Sequence, residues 1–163
     1  MIRPVPPELP FRITFSAVDA DDFEELVGIR ISAMRESLEA VGRFDVDRAR
    51  ERLRNSFHPE HTEVIALDGQ RIGFYTLRPA DAVLHLDHLY IHPRWQSLGI
   101  GSYVMFCLIA RANADCMPIC LTALRNSPSN RFYRRYGFVQ TEEDEWDIHY
   151  TRVPEAIESG AAS

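Results

Sequence analysis

The stretch Gln96-Ser97-Leu98-Gly99-Ile100-Gly101 decides the fold, because it joins a run with strand character to one with helix character. Upstream, Leu84–Ile91 (LHLDHLYI) is dense in apolar and aromatic residues and stops at His92-Pro93, as a strand stops at a turn. Downstream, Ile100, Tyr103, Val104, Cys107 and Leu108 recur at the spacing of one helix face. A helix that begins here leaves its first-turn amides without intrahelical partners, and its dipole adds partial positive charge at that end. Glycines at 99 and 101 let a bulky anion approach the backbone closely. The junction suits a phosphate or pyrophosphate; a plain tight turn is the competing reading.

Further on the chain reads Asn126-Ser127-Pro128-Ser129-Asn130-Arg131-Phe132-Tyr133-Arg134-Arg135-Tyr136-Gly137-Phe138. With this second motif the chain resembles the GNAT superfamily of N-acetyltransferases. That family pairs an (Arg/Gln)-x-x-Gly-x-(Gly/Ala) pyrophosphate loop with a later Asn-x-x-(Ala/Ser)-x-x-(Phe/Leu)-Tyr-x-x-x-Gly-Phe segment. Gln96, Gly99 and Gly101 match the first motif; Asn126, Ser129, Phe132, Tyr133, Gly137 and Phe138 match the second. The resemblance runs from about Phe11 to about Arg152, and its diagnostic part is Leu84 to Phe138.

The resemblance implies an α/β (α+β) fold: a mixed, largely antiparallel central sheet flanked by helices, with a splayed central strand pair that admits the pantetheine arm of the cofactor. It implies acetyl-CoA as acyl-donor cosubstrate, a primary amine of a small molecule or peptide as acceptor, and direct attack on the thioester. By the same resemblance, Gln96, Ser97, Leu98, Gly99, Ile100, Gly101 and Ser102 grip the cofactor through backbone amides. Asn126 and Tyr133 also contact it, and the backbone of Leu89, Tyr90 and Ile91 binds the pantetheine and acetyl groups. Tyr133 stands where the family keeps its general acid, with a core aromatic as the competing reading. Leu98 is a mild departure, since the family often carries basic or small residues there; it puts a side-chain phosphate contact in doubt and leaves the amide cradle intact.

The attacking amine must lose a proton, and the central strand offers candidates. Alternation puts His85, Asp87 and Leu89 on one face and Leu86, His88 and Tyr90 on the other. His85 lies where several family members carry a carboxylate base, so Asp87 or His85 is favoured over His88, a structural hydrogen-bonding role being the alternative for each. No metal is expected: His58 and His61 are two ligands in a loop, and Cys116 and Cys120 flank Pro118 among apolar neighbours.

At 163 residues the chain fits one domain, with an extended Pro-rich arm over 1–10, an acetyltransferase domain over 11–152 and a frayed tail over 153–163. A net charge of -6 argues against nucleic-acid or anionic-membrane partners. No apolar run approaches a membrane span, the N-terminus lacks a secretion signal, and three cysteines suggest reduced thiols in the cytoplasm. The acidic clusters Asp19–Glu25 and Glu142–Asp147 are read as a helix N-terminus and a solvated turn, with steering of a cationic acceptor as the alternative.

Alternation and punctuation predict strands at Phe11–Val18, Thr62–Leu67, Arg71–Leu77, Leu84–Ile91, Ile119–Leu124, Phe138–Thr141 and Trp146–Arg152. Helices are expected to about Leu38 from an Asp19 or Asp21 cap, over Val46–Phe57, over Gly99–Asn113, and from Ser127 or Ser129 to Tyr136. No charged side chain occurs from Gly99 to Ala110, so that helix is expected to be buried on all sides, by the fold itself or in a homodimer. A nucleotide-dependent oxidoreductase would want its Gly-x-Gly-x-x-Gly early, which this chain lacks. A non-catalytic acyl-CoA-binding regulatory module remains the alternative to an enzyme.

Overall fold

The computed structural model describes residues 8–156, so most of the arm expected over 1–10, and the tail from 157, lie outside the described residues. The chain lays down β1 (Ile13–Ala17), α1 (Phe23–Ala40), α2 (Val46–Asn55), β2 (Thr62–Leu67), β3 (Gln70–Ala80), β4 (Val83–Ile91), α3 (Ile100–Ala114), β5 (Ile119–Leu124), α4 (Ser129–Arg135), β6 (Val139–Glu143) and β7 (Asp147–Arg152). This is the expected order of a mixed helix-and-strand fold. The pairings of β1 with β2, β2 with β3, β5 with β7 and β6 with β7 are all antiparallel.

Local chemistry explains most boundaries. Asp19 opens a short 3-10 turn at Ala20–Asp22 with a reciprocal cap: its carboxylate accepts the Asp21 N–H, and the Asp22 carboxylate accepts the Asp19 N–H. Asp45 caps α2 by accepting the Arg48 N–H at 3.1 Å. Between β2 and β3, Asp68 (φ 48°) and Gly69 (φ 86°) both sit in the left-handed region, as a two-residue hairpin turn requires.

The chain forms two compact units. The first runs through Arg78 and resumes with Leu86–Tyr103. Its strands follow the order β1-β2-β3-β4, and its core is Leu26, Val27 and Ile29 of α1, Leu53 of α2, Val64 and Phe74. Each such side chain contributes about 1.5–3 kcal/mol on burial. The second unit holds Pro79–His85 and the chain from Val104 onward. Here the order is β5-β7-β6, with Ile119 opposite Arg152 and Leu124 opposite Asp147. Thus β4 itself is divided, its first three residues belonging to the second unit and the rest to the first.

The fold of the single chain does not bury α3 on every side. Val104, Met105, Leu108 and Ala112 are buried, while Phe106, Cys107 and Ile109 are only half-buried and Ala110 is exposed. An apolar sequence sets what a helix tolerates; packing decides which of its faces is covered.

Candidate active site

The loop between β4 and α3 is built from the backbone. A 3-10 turn at Pro93–Trp95 leads to Gln96, whose side-chain Nε2 donates to the Ile91 carbonyl at 2.8 Å and ties the loop to the end of β4. Ser97 (φ 63°) and Gly99 (φ 86°) are left-handed on either side of Leu98. The first helical bond runs from the Tyr103 N–H to the Gly99 carbonyl at 3.0 Å, which leaves the amides of Ile100, Gly101 and Ser102 outside the helical ladder. An added Cβ at Gly99 would lie 3.1 Å from Leu9 Cδ2, on top of the strain of its positive φ. The side chains of Ser97 and Leu98 are exposed. The helix dipole and these first-turn amides give the junction the chemistry a pyrophosphate requires.

In the second unit, β5 passes through Arg125-Asn126-Ser127-Pro128 into α4, with Asn126 left-handed at φ 67°. The spacing of Tyr133, Gly137 and Phe138 has a physical reason. The Phe138 N–H donates to the Tyr133 carbonyl at 3.2 Å and the Gly137 N–H to the Arg134 carbonyl at 3.1 Å, with Gly137 at φ 86°. This is a Schellman closure, and it brings the Phe138 ring onto that of Tyr133 with centroids 5.6 Å apart. Tyr133 is 9% exposed and also meets Phe132 and Tyr150.

A family model described as an acetyltransferase (GNAT) domain matches residues 32–154, well over half of the chain and all of both motifs. The chain belongs to the GNAT acetyltransferase family.

Solved GNAT structures agree with the fold. PaiA N-acetyltransferase from Thermoplasma acidophilum, solved with coenzyme A, superposes with a TM-score of 0.72 at 16% identity, covering 87% of this chain and 99% of that one. A GCN5-related N-acetyltransferase from Rhodopseudomonas palustris gives 0.68 at 18%, covering 90% and 99%. Ard1 from Thermoplasma volcanium gives 0.64 at 19%, covering 88% and 98%. No curated protein sequence matches the chain.

The GNAT chain's strand β4 keeps the expected alternation: Leu84, Leu86 and His88 are buried, and His85, Asp87 and Leu89 are half-buried on the other face. Asp87 receives a two-pronged grip from Arg78, with Nε to Oδ2 at 2.8 Å and Nη2 to Oδ1 at 3.3 Å. Both carboxylate oxygens are engaged, so Asp87 is held in place as well as placed. The His85 ring makes no hydrogen bond to a described residue.

His88 has a different employment, which the sequence did not disclose. Ser56 Oγ donates to the Arg52 carbonyl at 2.8 Å, so at its 2.8 Å contact with His88 the ring Nε2–H must be the donor. In a neutral ring Nδ1 then accepts, and the Tyr90 hydroxyl donates to it at 3.3 Å. The Tyr90 oxygen in turn accepts from Arg30 Nε at 3.3 Å. Arg30 is 6% exposed, donates from Nη1 to the Ala49 carbonyl at 3.0 Å, and forms no ion pair among the described residues. Burial, reinforced by the Arg30 charge and opposed by Asp87, pushes His88 down to about 4. The ring is therefore neutral at physiological pH, and this chain of donors pins the Tyr90 side chain between α1, α2 and β4. On the other side of Tyr90, a Cβ at Gly73 would overlap its carbonyl oxygen, so only glycine admits that approach. The segment Leu89–Ile91, expected to hold pantetheine through its backbone, is thus fixed from both sides.

Most acids of the two clusters have internal work. Asp22 and Glu25 pair with Arg71, Glu24 pairs with Arg50, and Glu143 pairs with Arg125. Asp144 accepts the N–H groups of Trp146 and Asp147, and those bonds hold its carboxyl below the usual range. No helix of the described residues is long and apolar enough to cross a membrane.

Asn130, also unforeseen, is buried in α4 and bonded on all sides.

Proposed function

We propose that the protein transfers an acetyl group from acetyl-CoA to a primary amine of a small molecule or peptide, by direct attack of the amine on the thioester. The observation that carries this reading is the Ser97–Ser102 cradle of open amides at the α3 N-terminus, in a chain that also keeps Tyr133 at the family's position. When bound, acetyl-CoA supplies an acetyl group already activated as a thioester.

The residues divide the remaining work. The amides from Ser97 to Ser102 grip the pyrophosphate, and the backbone of Leu89–Ile91 aligns the acyl group. The amine nitrogen bonds to the acetyl carbon, the carbon–sulfur bond breaks, and the sulfur keeps the electron pair. The Tyr133 hydroxyl donates to that sulfur. A phenol near pKa ~10 protonating a thiolate near ~8.5 is uphill by about 2 kcal/mol in water, so its main contribution is a hydrogen bond to developing charge. Taking the proton from an alkylamine near pKa ~10.4 costs roughly 4 kcal/mol at neutral pH. His85 or Asp87 receives it, directly or through water. Of the two, His85 has the uncommitted side chain, whereas Asp87 is held by Arg78.

The test is release of coenzyme A thiol during incubation with acetyl-CoA and a panel of primary amines. Amine-dependent release supports the reading. Coenzyme A binding without release from any amine in the panel would favour a non-catalytic acyl-CoA-binding module.

A further inference from the structure

The turn that carries Asn126 is closed by the Ser127 N–H, which donates to the Leu124 carbonyl at 3.1 Å. α4 is only Ser129–Arg135, and Pro128, at its N-cap, contributes no capping side chain. Asn130, which is 6% exposed, clamps that turn from the side. Its Nδ2 donates to the Leu124 carbonyl at the end of β5 at 2.8 Å and to the Ser127 carbonyl at 3.0 Å, with Ser127 Oγ at 3.3 Å. Its Oδ1 accepts the Tyr150 hydroxyl at 2.8 Å, and its backbone N–H donates to the Ser127 carbonyl at 3.2 Å. One amide side chain thereby joins the end of β5, the turn and β7. An apolar side chain would fill the same space and let α4 pack on the strands, but it would leave the Leu124 carbonyl and the Tyr150 hydroxyl without these partners.

We propose that Asn130 is a positioning residue: it sets the turn that presents Asn126 to the cofactor. This rests on the reading that Asn126 contacts coenzyme A. Asn126 sits in the left-handed region, which asparagine tolerates better than other side chains. The Nδ2 bonds to residues 124 and 127 bracket it on both sides. The Tyr150 bond acts differently: it orients the amide, and its loss leaves both Nδ2 bonds in place.

The experiment is a double-mutant cycle on coenzyme A affinity, measured by calorimetry on the full chain, with melting temperature recorded for every variant. Asn126→Ala is expected to weaken binding about tenfold, the scale of one good hydrogen bond. Asn130→Asp keeps the acceptor for Tyr150 and replaces the donor facing two carbonyls by an oxygen; it too should weaken binding about tenfold. The double variant should be no weaker than Asn130→Asp alone, and Tyr150→Phe should bind within about twofold of wild type. Asn130→Ser, smaller and uncharged, is carried in parallel and replaces the Asp variant if that one does not fold. A purely structural Asn130 would lower the melting temperature and leave affinity unchanged, which overturns the proposal. Additive losses also overturn it, while leaving Asn126 at the cofactor. Unchanged affinity in Asn126→Ala removes Asn126 from the cofactor site and takes the proposal with it.

Discussion

Tyr133 and His88 are both buried polar aromatics, and the proposed function gives a part in the chemistry to Tyr133 alone. Tyr133→Phe keeps the ring that packs on Phe138, so the fold should be undisturbed. Turnover should fall on the order of 10²-fold while coenzyme A affinity stays constant, because the hydroxyl is used as charge develops on sulfur. Steady-state kinetics beside calorimetry checks this, and normal turnover would return Tyr133 to the core. His88 should instead behave as a structural group. Its folded pKa of about 4 lies below the ordinary 6.5, so between those values the unfolded chain binds a proton that the folded ring refuses. The stabilisation is complete above about pH 6.5 and is lost as pH falls toward about 4, amounting to roughly 3 kcal/mol. Nitrogen-15 NMR should find the ring as the Nε2–H tautomer, without titration above about pH 5; a midpoint near 6.5 would contradict the buried network.

At the scale of elements, glycines at two positions predict opposite results for the same change. Gly73 of β3 abuts the Tyr90 carbonyl, so Gly73→Ala must push two strands apart and should cost several kcal/mol. Gly28 of α1 has nothing within 4 Å of an added Cβ, so Gly28→Ala should stabilise by about 0.5–1 kcal/mol. Denaturant melts of the two variants check both signs at once. Legibility follows a similar divide. The Asp68-Gly69 hairpin was readable because it is a local rule about a few neighbouring residues, whereas the Tyr133–Gly137–Phe138 spacing was legible only as a family motif and the Asp45 cap went unread. The Arg78 grip on Asp87, the Ser56–His88–Tyr90–Arg30 chain and the bonds of Asn130 were not, since they depend on strand register and helix placement that periodicity does not specify. The uncharged run of α3 marked tolerance for burial, but which of its faces the chain itself covers depends on neighbours that periodicity does not specify.

For the whole molecule, most acids of the two clusters are committed to caps and to Arg71, Arg50 and Arg125. In the proposed function an anionic cofactor meets the backbone at Ser97–Ser102, whose first-turn amides have no partner among the described residues. That cradle is where sequence motif, backbone conformation and family membership coincide, and it carries the functional account. The most direct test is calorimetric titration of coenzyme A into the wild-type chain and into Gly101→Asp, which sets a carboxylate among the open amides. The account predicts a single site in the wild type and loss of binding in the variant, with circular dichroism unchanged. Absence of binding to the wild type, or equal affinity in Gly101→Asp, would contradict it.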